Sequence, residues 1–153
     1  MGMKVNIETG ELVIEEKYVV KPLMTVEEIK KSNLIELMDE ENRGWLENRP
    51  SHPIAIFIDV NGEEVKVEFE IIGGELVIIN IVVDPKGISE AYYSGDEGKF
   101  GNIVSKNLLF MVELFKDNKN NRYRFSWGKA EFNNGNRTYN VKIEIQYFWN
   151  EVI

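Results

Sequence analysis

His52 is the single histidine of the chain and stands in the proline-flanked segment Arg49-Pro50-Ser51-His52-Pro53. An imidazole acts as a general base only with a nucleophile or carboxylate beside it, and the sequence shows no such pairing. One histidine and no cysteine also supply too few ligands for zinc. His52 therefore reads as a loop anchor, and no catalytic residue, cofactor or metal site is assigned. The acidic cluster Glu36, Asp39, Glu40 and Glu41 is the next candidate. It lacks the regular oxygen-ligand spacing of a calcium loop, so it reads either as a solvated helix end or as a surface for a basic partner. Carboxylates at the end of a preceding helix oppose its dipole, which asks for a reason beyond solvation.

Ser94 to Gly101, SGDEGKFG, invites comparison with a phosphate-binding loop and fails it. The spacing is not GxxxxGK[ST], and Asp96 and Glu97 would repel a phosphate, so the stretch reads as a mobile loop. Aromatic residues gather at Tyr92-Tyr93, at Tyr123-Phe125-Trp127 and at Tyr147-Phe148-Trp149. Neighbouring residues of a strand face opposite sides, which turns one of Phe148 and Trp149 toward solvent. Core packing explains most of these rings. Those with polar surroundings suit a protein interface. The candidate partner-binding set is Glu36, Asp39, Glu40, Glu41, Trp45, Tyr92, Tyr93 and Trp149.

The elements that must position these residues are plainer. Pro53 to Asp84 reads as three antiparallel strands joined by Asn61-Gly62 and Gly73-Gly74, two-residue turns that need positive φ. In the middle strand Val65, Val67, Phe69 and Ile71 alternate with Glu64, Lys66, Glu68 and Glu70, giving one buried and one wetted face. Leu76 to Val83 is apolar on both faces apart from Asn80, the pattern of a central strand covered on both sides. Upstream, Lys4 to Val20 reads as a hairpin turning at Thr9-Gly10, followed by a short strand at Tyr18–Val20.

Thr25 and Glu28 have capping-box spacing and start a helix through Val26, Ile29, Leu34, Leu37 and Met38; Ser32-Asn33 interrupts it, giving one helix or two. Asp39 to Pro53 reads as a loop with Trp45 and Leu46 as a lid on the core. Ser89 to Gly101 reads as irregular, and a second helix runs from about Asn102 to Phe115. The chain closes with a long hairpin, Arg122 to Trp127 and Tyr139 to Tyr147, turning at Asn133–Asn136, with Gly128 placed for a bulge or bend. The expectation is a single α+β domain over residues 1–153. Its mainly antiparallel sheet is a central three-stranded meander plus N- and C-terminal hairpins, packed by two helices.

With 26 acidic against 18 basic residues the net charge is −8, which disfavours phosphate backbones and favours a basic protein partner over nucleic acid. No apolar run has the length of a membrane helix and no signal-like start is present, so the expectation is a cytoplasmic protein with no membrane contact. The absence of cysteine agrees with a reducing compartment.

Two stretches, ETGELVIEEKYVVKPLMTVEEIKKSNL and RYRFSWGKAEFNNGNRTYNVKIEIQY, resemble small bacterial proteins of the immunity type encoded beside polymorphic or contact-dependent-inhibition toxins. The resemblance implies a cytoplasmic, non-enzymatic protein that binds and neutralises a toxin domain, and an acidic inhibitor suits a basic toxin. Two alternatives stand beside it. One is a small-molecule-binding or enzymatic domain with a cleft near His52 and Tyr92. The other is an accessory subunit that self-associates through a sheet edge.

Overall fold

The structure is a computed structural model that describes residues 2–116, 122–133 and 141–148. The expected turn at Asn133–Asn136, beyond Asn133 itself, and Tyr139 at the start of the expected last strand lie outside these residues, as does Trp149. The described residues form two antiparallel sheets and four α-helices, an α+β fold.

The meander is the spine of the larger sheet. Strands β4 (Ile54–Val60), β5 (Glu63–Ile72) and β6 (Glu75–Val83) pair in sequence. Their turns take positive φ at Asn61, Gly62, Gly73 and Gly74, as two-residue hairpin turns require. Strands β7 (Arg122–Arg124), β8 (Gly128–Asn133) and β9 (Lys142–Tyr147) complete the sheet in the order β4-β5-β6-β9-β8-β7. β6 is central, as its apolar run predicts. Its outer face is covered differently from the expectation, for Lys66, Glu68, Lys142 and Glu144 on the flanking strands keep partial exposure there. A register shift between Glu70 and Ile71 explains why adjacent Leu76 and Val77 are both buried.

The opening hairpin is a separate three-stranded sheet, β1 (Met3–Val5), β2 (Leu12–Ile14) and β3 (Tyr18–Val20). Its buried residues join the inner face of the large sheet in one core. Between them runs α4 (Glu97–Phe115), packed against β1, β6 and β9 through Met111, Leu114 and Phe115.

The helices depart most from the sequence pattern. Helix α1 (Val26–Lys31) has the expected capping box at Thr25 and Glu28, but Ser32 ends it and caps a 3-10 turn at Asn33–Leu37. The Asp39–Pro53 segment is not simply a loop. Asp39 caps α2 (Glu40–Asn48), whose Leu46 is buried while Trp45 is half-buried. Ser89–Gly101 is not irregular either. Helix α3 (Pro85–Ser94) starts with Pro85 behind the Asp84 cap and stops at left-handed Gly95, and Asp96 immediately caps α4. Asp96, one of the carboxylates that disqualify SGDEGKFG as a phosphate cradle, thus holds a helix start. Within the closing hairpin, Phe125 and Gly128 exchange backbone hydrogen bonds at 2.8 and 3.4 Å. Ser126 and Trp127 are therefore a tight turn, and Trp127 does not continue the strand.

Candidate functional site

Of the expected partner-binding residues, five lie on the 3-10 turn, on α2 or at the cap of α2. Glu36, Asp39, Glu40 and Glu41 are exposed. Their setting corrects the dipole argument: Asp39, Glu40 and Glu41 sit at the N-terminus of α2, where negative charge is favoured, and not at the end of the helix before it. The Asp39 carboxylate accepts from the Asn42 backbone N–H and side-chain amide, both at 2.8 Å, and these bonds hold its pKa below the ordinary aspartate value. Glu36 faces Lys17 at 3.7 Å, whereas Asp39, Glu40 and Glu41 meet no cation at ion-pair distance among the described residues.

Trp45, on the same helix, stacks on His52 with ring centroids 4.0 Å apart and planes 13° apart, and Arg49 lies 5.9 Å from its ring. The His52 Nδ1 is 2.7 Å from the Pro53 carbonyl. His52 is therefore an anchor between α2 and β4. Asn42 fastens the same helix to the sheet edge, its Oδ1 accepting from the Ala55 N–H at 2.8 Å.

Tyr92 and Tyr93 belong to a different part of the surface, on α3, which packs on α4. They meet edge to face at 5.3 Å, and Tyr93 is 75% exposed. On the wetted face of β5 two of the carboxylates already have partners. Glu68 pairs with Lys66 at 3.4 Å, and Glu70 accepts from the Asn80 amide at 2.6 Å.

A cluster of opposite sign escaped the sequence reading. A cleft of about 440 Å³ over the β7–β8 hairpin is lined by Arg122, Tyr123, Arg124, Lys129, Ala130 and Glu131. The signal was present in RYRFSWGK, but a strand continued through Trp127 places Lys129 beyond the reach of Arg124. Only the turn at Ser126-Trp127 sets them opposite each other.

Among the described residues no group of three or more His, Cys, Asp or Glu side chains is arranged to hold a metal ion. No helix among them is long and apolar enough to cross a membrane. No family model, no curated protein and no solved structure matches the chain.

Proposed function

We propose that the protein is a non-enzymatic protein-binding domain of the immunity type, which masks a basic partner through its α2 corner. The supporting observation is the uncompensated charge there: three consecutive exposed carboxylates, Asp39, Glu40 and Glu41, without a cation of the chain at ion-pair distance among the described residues. Such a patch on a chain of net charge −8 steers cationic proteins and raises their association rate, an effect that salt screens. Trp45 beside it, half-buried and held flat by His52, gives the patch a rigid aromatic shoulder.

The test is capture of partners on immobilised protein, eluted with a salt gradient, in parallel with the Glu40→Lys/Glu41→Lys variant. The expected result is a stoichiometric basic protein, released by moderate salt and lost from the charge-reversed column. Equal retention on both columns, or no basic protein at low salt, overturns the proposal.

A further inference from the structure

We infer that the β7–β8 hairpin carries a binding site for a compact dianionic oxyanion, a phosphoryl group held between Arg124 and Lys129. The argument begins with register. Phe125 and Gly128 exchange both of their backbone hydrogen bonds, so the next pair outward, Arg124 and Lys129, is a non-hydrogen-bonded pair. In such pairs the side chains stand closest, and like charges there repel. The chain cannot relieve the repulsion by slipping. The turn has only two residues, and one of them, Trp127, is pinned by its indole N–H to the Ile7 carbonyl at 2.8 Å.

The charges around this pair leave it unneutralised. Arg122 meets Glu131 across the same ladder at 3.5 Å, so that cation is taken and that carboxylate spent. Neither Arg124 nor Lys129 has a carboxylate at ion-pair distance among the described residues. Gln146, opposite Lys129 on β9, is neutral. Arg124 has its guanidinium 4.8 Å from the Phe148 ring, which orients it without cancelling its charge. Two uncompensated cations therefore line a cleft of about 440 Å³, roomy enough for a phosphoryl group and a small organic body.

The chemistry selects the ligand. A planar guanidinium offers a two-pronged donor face and an ammonium a point charge, the combination that suits a tetrahedral dianion. A long polyanion does not fit the same place. The chain's overall charge of −8 repels an extended phosphate backbone, and a three-residue β7 offers no track for one. The phosphoryl group belongs either to inorganic phosphate or to a small phosphate monoester.

The full chain is titrated with inorganic phosphate and, separately, with glycerol 3-phosphate at chloride-matched ionic strength, following thermal midpoint and backbone amide shifts. Phosphate is expected to raise the midpoint above the chloride control and to move the Arg124 and Lys129 amides. Arg124→Gln and Lys129→Gln should each weaken binding about tenfold or more. Glu131→Gln, which frees Arg122, should strengthen it. Binding of both probes assigns the site to phosphate monoesters, and binding of inorganic phosphate alone assigns it to the free ion. No rise above the chloride control in the wild-type protein overturns the inference. So does unchanged affinity in the folded Arg124→Gln/Lys129→Gln double variant.

Discussion

The Tyr147 hydroxyl donates a 2.7 Å hydrogen bond to the Gly10 carbonyl, tying the last described strand to the first hairpin turn. The Trp127 ring lies against Gly10 at the same junction, and its indole N–H reaches Ile7. The Thr9-Gly10 turn and the Trp127-Gly128 step, at opposite ends of the chain, therefore meet in one place.

Tyr147→Phe removes that bond and strands a buried carbonyl, which should cost about 1–2 kcal/mol in urea unfolding. Burial, and after it the charge of Glu11, raise the Tyr147 pKa well above the ordinary tyrosine value. The native phenol thus stays protonated where the unfolded one ionises. Its contribution is complete below pH about 10 and declines as pH rises further toward the native pKa. The variant should show a shallower alkaline loss of stability than the wild type; an identical slope would exclude Tyr147 as its source.

Glycine is required on both sides of this junction by space. A Cβ on Gly10, whose φ is +83°, would lie 2.5 Å from the Trp127 ring, and one on Gly128 would lie 2.2 Å from the Gln146 carbonyl oxygen. Gly10→Ala and Gly128→Ala should each destabilise by about 1–3 kcal/mol. Gly128→Ala should also shift the Trp127 emission, because the opposing backbone in β9 cannot move without the turn. A silent Gly128→Ala would disprove the close approach.

Two buried asparagines should respond to removal very differently. Asn107, on α4, accepts from the Val83 N–H at 2.7 Å and donates to the Val83 carbonyl at 3.0 Å, completing β6 where no described strand pairs with Val83 on that side. Asn107→Leu leaves both backbone groups unpaired in the core and should cost about 2–5 kcal/mol. Asn80 is 5% exposed, and its Oδ1 has no hydrogen-bond partner among the described residues. Asn80→Val removes that orphan but also the 2.6 Å bond from the Asn80 amide to Glu70, so the two effects should nearly cancel and the net change stay within about 1 kcal/mol. Chemical denaturation of the two variants checks both magnitudes; a loss in Asn80→Val as large as that in Asn107→Leu would contradict the near-cancellation.

Acid should loosen the helix starts first. Hydrogen bonds from Asn42 and from Thr25 lower the pKa values of Asp39 and Glu28 respectively. A lowered carboxyl stabilises above its unfolded pKa, and that stabilisation disappears as pH falls through the folded value. Asp39→Asn, which keeps the cap without the charge, should flatten the acid limb of the stability curve. Amide hydrogen exchange at Asn42 should rise in Asp39→Ala and stay low in Asp39→Asn.

The meander was legible because its information is local. Asn61-Gly62 and Gly73-Gly74 fix the turns, and the alternation between Val65 and Ile71 fixes which face is buried. The capping box at Thr25 was legible for the same reason. Helices α2 and α3 were missed because Asn42 and Gly44, or Gly87 and the paired tyrosines, are weaker helix formers. There a cap and a packing surface override propensity: Asp39 with Leu46 against the core, Asp84 with Ile88 and Ala91 beneath α3.

The sequence by itself determined the α+β class, the central place of β6 and the excess of negative charge, all properties of pattern and composition. Tertiary structure alone decided that Trp127 turns the chain, that Gly10 and Tyr147 meet, and that Arg124 faces Lys129. These depend on register and on contacts more than a hundred residues apart, where a shift of one position moves a side chain to the other face of the sheet.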